Sequence, residues 1–522
     1  MKKKTIRNLI LIIGALLVYT LLLWVLVLVE AGDASASITD LPTAFWYSVT
    51  TLTTVGYGDT YPVTGVGRVI GFIFQLMSLG VLVAVISFLA QLLKGRVLPL
   101  LRLRFARNAS WYWFSGGSEK ETALARRIRQ DDPSAVLLFP MEAKSEVPAS
   151  LHALCCEPGP EELALIKKDP SDFHVFFLGD DSFDNEKKTA ALRGTKCRVY
   201  CLSEREPEII SEQEVYFHPC EGTARLYWHR YPLASMLERI VLVGGGRFGR
   251  ALLEQGLAFN VISPGQSIRY WLCGDWSEFA REHPLLSSFV SLEREERGKD
   301  AVFFVPGAWN NNWQIFREAG RIIFCGDDEE ETAEQLEILK RCCPVKGTVY
   351  ARLSQAVDGV ICFGGTADLF IPELIMQRSL NRLAVDLHES YRAKTEGNKL
   401  PAWNELGRFL RHSNLSSADH LFMKARILLG HEAETLPDRW QQAAEKFRNL
   451  SESEREHCRE IEHERWSRFH YLNNWEYGPV RDNARRIHPL LCPYDALSPE
   501  ERAKDDYSWE LLARAAEHSG ER

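Results

Sequence analysis

Twenty-one residues in a row, Leu9 to Val29, carry no charge. At ~1.5 Å per residue a helix of that length spans ~31 Å, the thickness of a bilayer's hydrocarbon core. A second uncharged run, Val69 to Leu93, reaches ~37 Å, so it can cross with a tilt or project into the cytosol. A cleaved leader competes for the first run, since Lys2, Lys3 and Lys4 precede it and Asp33-Ala34-Ser35-Ala36 loosely fits a cleavage site. The run is longer than a signal h-region and a second span follows, which favours two membrane helices. The whole-chain averages, 46% hydrophobic with a net charge of -8 over 522 residues, hide this division. Everything after Lys94 is soluble in composition.

Basic residues set the expected orientation. Lys2, Lys3, Lys4 and Arg7 flank the first run, and Lys94, Arg96, Arg102, Arg104 and Arg107 follow the second. Both termini are therefore expected in the cytoplasm. Between Arg7 and Arg68 the only charges are Glu30, Asp33, Asp40 and Asp59, an acidic outer loop that would concentrate cations. All twelve cysteines lie from Cys155 onward, on the reducing side, so free thiols are expected. No C-x-x-C pair occurs, and no metal site is expected.

Between the two runs stands Thr51 to Asp59, TLTTVGYGD. Pro42 to Thr53 predicts a short helix with Pro in its first turn, entering from the outer loop and ending at mid-bilayer. Its C-terminal carbonyls would carry partial negative charge toward the membrane centre. In Thr54-Val55-Gly56-Tyr57-Gly58 the two glycines permit φ > 0, so successive carbonyls can face one axis. Irregular backbone at membrane depth is tolerated only where it lines a cavity or is buried in protein. This pentapeptide is the known potassium-filter sequence, so its selectivity is inferred by pattern.

With Tyr57 to Arg68 (YGD-x-YPVT-x-x-GR) matching the filter exit, residues 1–95 resemble the two-helix pore of potassium channels. One chain supplies one filter segment, so a closed ring implies a homotetramer. Trp46 and Tyr47 are expected to pack around Tyr57 as filter support, or to serve as lipid-facing anchors. Thr50 stands where some relatives carry a Glu, which leaves Asp59 without an obvious partner. Gly80, near Ser78, is a hinge candidate, though glycine also serves close helix packing. No Arg-rich membrane helix precedes the pore, which argues against voltage sensing.

Beyond a linker over 96–110, apolar runs alternate with helical patterns, as in parallel βαβ units. The expected strands are Trp111–Phe114, Ala135–Phe139, His174–Leu178 and Arg198–Leu202, then Arg239–Val243, Ala301–Val305, Arg321–Cys325 and Thr348–Leu353. FFLGDD ending at Asp181 corresponds to IFCGDD ending at Asp328, and VYCLS to VYARLS, so the block is duplicated. The arrangement resembles tandem RCK domains, here 111–237 and 238–382, which in that family form a ring of eight Rossmann-like units beneath a tetrameric pore. Gly244-x-Gly246-x-x-Gly249 follows a strand and opens a helix, the context for a phosphate or for tight helix–strand packing. The next strand is expected over Phe259 to Ser263, which runs into Pro264-Gly265 and offers no ribose-binding acid. The pairs Asp180/Asp181 and Asp327/Asp328 suit Ca²⁺ or, more simply, helix starts. No catalytic constellation accompanies the loop, so an enzyme is not expected.

From Leu383 polar helices take over, and a phrase recurs: His388-Glu389-Ser390-Tyr391-Arg392 and His463-Glu464-Arg465-Trp466-Ser467. With NWEYG (Asn474 to Gly478) and HPLLCPYDAL (His488 to Leu497), residues 383–522 resemble the repeat domain of ryanodine receptors. That resemblance implies an adenine held between Tyr391 and Trp466, one ring from each repeat, with His388 and His463 beside them. Arg392, Arg465 and Arg468 would then meet phosphates. The alternative is a purely structural module.

The expected fold is thus a helical membrane pore, two Rossmann-like parallel-sheet domains and a mainly α-helical RyR-repeat domain. The expected function is a ligand-gated, potassium-selective channel of the cell membrane with K⁺ in its filter. An adenine nucleotide or cyclic nucleotide would act as gating ligand, and no nucleic-acid polymer as partner. The alternatives are a pore with a scaffold-like soluble part, or gating by Ca²⁺ or NAD at the RCK domains.

Overall fold

The computed structural model describes residues 17–519 apart from 94–96, 205, 209, 234, 377–380, 395–399, 435 and 437. It divides into two units, residues 1–105 and 106–522.

The first unit holds helix α1 (17–30), α2 (Leu41–Leu52), α3 (Gly65–Leu92) and α4 (Leu98–Phe105). Asp40 caps α2 by accepting from Thr43 N at 2.9 Å, and Pro42 occupies its first turn. The helix expected from Pro42 is thus present. Leu23 and Leu26 of α1, Ala44 and Tyr47 of α2, and Ile70 and Phe74 of α3 form the core. The Tyr19 hydroxyl meets Ser48 Oγ at 2.6 Å and ties α1 to α2. Outside this core the helices are apolar on their exposed faces too: Leu21, Trp24 and Leu28 of α1, and Val69, Phe72, Leu76, Val83 and Ile86 of α3. Apolar surface on that scale needs lipid or further copies of the chain against it. Among the described residues no helix is long and apolar enough to cross a membrane. The expected first span begins at Leu9, and residues 9–16 lie outside the described ones, as do several side chains of α3. Within the expected linker, residues 98–105 are helical, with Pro99 in the first turn of α4.

The second unit carries two all-parallel sheets. The first comprises β1 (Trp111–Phe114), β2 (Val136–Pro140), β3 (Leu154–Cys156), β4 (Phe173–Phe177), β5 (Arg198–Leu202) and β6 (Glu214–Phe217). Their order is β3-β2-β1-β4-β5-β6, that of a doubly wound Rossmann sheet. The second comprises β7 (Arg239–Val243), β8 (Arg269–Cys273), β9 (Ser291–Leu292), β10 (Ala301–Val305), β11 (Arg321–Phe324), β12 (Thr348–Leu353) and β13 (Ile361–Gly364). Its order, β13-β12-β11-β7-β8-β10-β9, is the same topology with one short extra edge strand. The duplicated phrases fall at equivalent places: β4 and β11 flank the central β1 and β7, and β5 and β12 lie next outward.

One expected strand is wrong. Phe259 ends the helix Arg247–Phe259, and residues 260–263 form no strand. The run is apolar because Phe259 and Val261 are buried, Val261 against the C-terminal helices, and burial alone does not distinguish strand from helix. The true second strand is β8.

From Arg382 the chain is mainly helical: Arg382–Lys394, Arg408–Leu429, Arg439–Arg448, Glu452–Leu472 and Asp506–Ser519. Met423 and Leu472 enter the core of the second sheet, so the helical region and that sheet share one apolar interior.

Candidate conduction filter and ligand sites

The segment Thr54 to Gly58, the expected filter, leaves the C-terminal end of α2. Thr50 O accepts from both Val55 N (2.9 Å) and Gly56 N (3.0 Å), and Thr54 N donates to Thr51 O. Every second residue is then left-handed: Thr54 at φ 61°, Gly56 at 53° and Gly58 at 73°. In an extended strand successive carbonyls point to opposite sides, whereas alternating hands bring them to one side. The glycines adopt this geometry freely; β-branched Thr54 does so at a cost of ~1–3 kcal/mol.

Around this segment Trp46 Nε1 donates to Asp59 Oδ2 at 2.9 Å. The Trp46 ring lies parallel to that of Tyr57, centroids 5.9 Å apart. Asp59 therefore has a partner, contrary to the sequence expectation; the indole supplies the donor, and Thr50 spends its hydroxyl on Tyr47 O. Tyr47, expected beside Trp46 on the filter, turns instead onto Phe74 of α3, because its helical position faces the core. Gly80 lies inside α3, which runs unbroken from Gly65 to Leu92.

Glu30 was legible only as one acid of the outer loop. It is fully buried and accepts from Val63 N at 2.9 Å, Thr64 N at 3.1 Å and Thr64 Oγ1 at 2.5 Å. It fastens the end of α1 to the segment before α3, and a Cβ on Gly67 would fall 2.0 Å from its Oε1.

The Gly244–Gly249 loop opens its helix as expected, but an internal carboxylate already occupies the helix start. Asp327, from the loop after β11, accepts from Arg247 N at 2.7 Å and Phe248 N at 2.9 Å. A phosphate there would meet that negative charge. Packing accounts for the glycines: a Cβ on Gly246 would lie 2.3 Å from Asp327 Oδ2, and one on Gly249 2.1 Å from Gly244 O. The acid thought missing does follow the true second strand. It is Asp275, directly after β8 and Gly274, with its carboxylate accepting from Ser277 N at 3.0 Å. Asp181 and Asp328 each cap a helix, bonding Phe183 N and Glu330 N at 2.9 and 2.8 Å, and Asp180 pairs with Lys120. These are helix starts and an ion pair, not a calcium cage.

Among the described residues one cluster, Glu254, Glu282 and His283, holds three donor atoms within 4.8 Å of one another. Glu282 is bound by Arg250 at 2.8 Å, and Glu254 lies 2.9 Å from His283 Nε2.

In the helical region the two phrases make parallel contacts. His388 Nε2 lies 3.0 Å from Pro401 O, and His463 Nε2 2.9 Å from Cys492 O. Trp466 stands among histidines, with His470 at 3.9 Å, His488 at 4.9 Å and His463 at 6.0 Å between ring centroids. Burial lowers the pKa of all three, that of His470 to about 3, so they surround the indole as neutral rings. The Tyr391 side chain, the other half of the expected clamp, lies outside the described residues.

The expected phosphate arginines are otherwise engaged. Buried Arg465 grips Glu462 at 2.7 Å. Buried Arg468 binds Asp300 at 2.7 Å and Glu464 at 2.9 Å. Arg392 donates to Leu400 O and Glu389. Lys424 also contacts Glu462, at 2.8 Å. Asp505 stands beside this group, and burial together with the Glu462 charge raises its pKa to about 8. The folded protein keeps that proton while the unfolded chain loses it near pH 4. Stability from Asp505 is therefore complete below pH ~4 and is lost as pH climbs toward 8. Asp505→Asn is expected to raise the melting temperature of the full chain more at pH 8 than at pH 5. An equal gain at both would contradict a neutral Asp505.

A family model described as an ion channel matches residues 9–95, and one for the RyR domain matches residues 442–514. Over 42 residues the chain is 50% identical to potassium voltage-gated channel subfamily A member 6 of Mus musculus and of Rattus norvegicus. That stretch covers 8% of this chain and 8% of those relatives. A crystal structure of a GsuK mutant aligns at 15% identity over 70% of this chain and 100% of its own, with a TM-score of 0.31. GsuK bound to ADP aligns at 13% identity over 69% and 96%, again at 0.31. The strand orders, not these overlays, carry the fold. Residues 9–95 thus match the ion-channel family and residues 442–514 the RyR domain family, with two doubly wound parallel sheets between them.

Proposed function

We propose that the chain is a potassium-selective channel of the cell membrane, built as a homotetramer with two spans per copy and both termini in the cytoplasm. The observation that supports it most is the alternation of left-handed residues at 54, 56 and 58, braced by Trp46 on Asp59. Four such segments around one axis would offer rings of carbonyl oxygens in place of the water around K⁺. Exposed apolar faces on α1 and α3 are what lipid and neighbouring copies would cover.

The two Rossmann-like sheets would form a ring of eight in the tetramer, and a nucleotide-type ligand, adenine-containing, would shift that ring. A ligand favouring one state ~10-fold at each of four sites supplies ~5.5 kcal/mol, enough to move a pore from ~1% to ~99% open. The Gly244 loop is a poor place for it, since Asp327 fills the phosphate position. The surroundings of Trp466 remain a stacking site of the proposal, with no phosphate contact from Arg465 or Arg468. Liposomes holding the full chain are expected to pass potassium at a rate that changes with mono-, di- or cyclic adenylates. Potassium flux indifferent to all of them, from a chemically cross-linked tetramer, would contradict nucleotide gating.

A further inference from the structure

A histidine and two acids meet on the second Rossmann-like domain. Glu254 stands on the helix Arg247–Phe259, and Glu282 and His283 close the helix Ser277–Glu282 that follows β8. One donor atom from each lies within 4.8 Å of the other two.

His283 is oriented from outside this group. Its side chain is 8% exposed, its ring packs against Phe279 with centroids 4.5 Å apart, and Nδ1 lies 2.9 Å from Leu472 O. A carbonyl only accepts, so Nδ1 carries its hydrogen in either charge state of the ring. The occupant of Nε2 is the variable. Nε2 points at Glu254 Oε1, 2.9 Å away. A carboxylate has no hydrogen to offer, so two lone pairs face each other unless a positive species, a proton or a metal ion, lies between them. A histidine that donates from one nitrogen to a backbone carbonyl and turns the other toward carboxylates is held as metal-ligating histidines are.

The spacing suits a small ion. Zn²⁺ binds imidazole nitrogen and carboxylate oxygen at ~2.0–2.2 Å, which sets tetrahedral ligands about 3.4 Å apart. Reaching it takes small rotations of Glu254 and Glu282, whose side chains are 43% and 49% exposed. Glu282 is paired with Arg250 at 2.8 Å, but the same guanidinium holds Glu278 at 3.0 Å. Glu282 can therefore turn to an ion while Arg250 keeps a carboxylate. Glu254 and His283 also line a cavity of about 820 Å³, which gives an ion a path and leaves room for water as a further ligand.

We propose that Glu254, Glu282 and His283 bind one divalent transition-metal ion of the Zn²⁺ class, with water in the fourth position. The ion takes the Nε2 lone pair, displacing to solvent any proton held there, while Nδ1 keeps its bond to Leu472 O. A nitrogen ligand disfavours Ca²⁺ and Mg²⁺, which take oxygen donors. Leu472 ends the helix Glu452–Leu472, so the ion would fix the group on which that helix end rests. The inference goes beyond nucleotide gating, and its test reads metal binding alone.

The test is Co²⁺ titration of the full-length chain, purified in detergent and stripped with a chelator. One ion per chain is expected, with the visible absorption bands of tetrahedral Co²⁺ and no sulfur-to-cobalt band in the near ultraviolet, and Zn²⁺ should displace it. Glu254→Gln and His283→Gln, each checked for an unchanged metal-free melting transition, should weaken the ion about 10-fold or more. Arg250→Gln, which frees Glu282, should bind at least as tightly as the wild type. Absence of the tetrahedral bands at excess Co²⁺ would overturn the proposal. So would a spectrum carried by sulfur ligands alone, or binding that survives both Glu254→Gln and His283→Gln.

Discussion

Gly58→Ala is expected to abolish potassium flux while leaving the soluble half folded. Gly58 holds φ at 73°, and a Cβ there finds open space, so the penalty is conformational and not steric crowding by neighbours. A left-handed L-residue costs ~1–2 kcal/mol, and four copies around one pore would total at least ~4 kcal/mol, about a thousandfold in the population of the conducting geometry. Residues 106–522 form a separate unit, so their melting should not move. Flux near the wild-type level would mean that the carbonyl alignment at this position is not what conducts.

Arg468→Met is expected to lower stability by ~3–5 kcal/mol, the usual result of stripping one partner from a buried ion pair. Asp300 is fully buried and accepts from Arg468 Nη1 at 2.7 Å, Gln266 Nε2 at 2.6 Å and Ile268 N at 2.7 Å. Two neutral-backbone and amide donors cannot neutralise it alone. Adding Asp300→Asn to the single variant should recover much of the loss, because the charge left unpaired is then gone. The check is chemical denaturation of the full chain followed at its soluble-domain transition. A change below ~1 kcal/mol would show that water or another cation reaches Asp300. The pair joins the helix Glu452–Leu472 to the second sheet, so any ligand-driven movement of the helical region has to carry that sheet with it.

What could be read from the chain beforehand depended on whether the deciding force was local. The left-handed turns of residues 56 and 58 were legible because such backbone favours glycine, and Gly56 and Gly58 mark them in the sequence. Strands such as Arg239–Val243 and Thr348–Leu353 were legible to the residue because short β-branched runs bounded by glycine and charge admit little else. Phe259–Val261 misled because an apolar helix end and an apolar strand look alike until packing decides. Arg465 and Arg468 were misread for a related reason: their acids, Glu462 and Asp300, include one 168 residues distant in sequence, and no spacing rule announces a buried pair of that kind. Glu30, Asp327 and Asp59 share this character. Each carboxylate is defined by the N–H groups it meets across the fold, at Val63, Arg247 and Trp46 in turn.

The central claim is that dehydrated potassium passes along main-chain oxygens supplied by four copies of residues 54–58. Bilayer recordings of the purified full chain between potassium on one side and sodium on the other test it most directly. The reversal potential is expected to sit close to the potassium equilibrium value. A reversal near zero, with sodium carrying as much current as potassium, would contradict it.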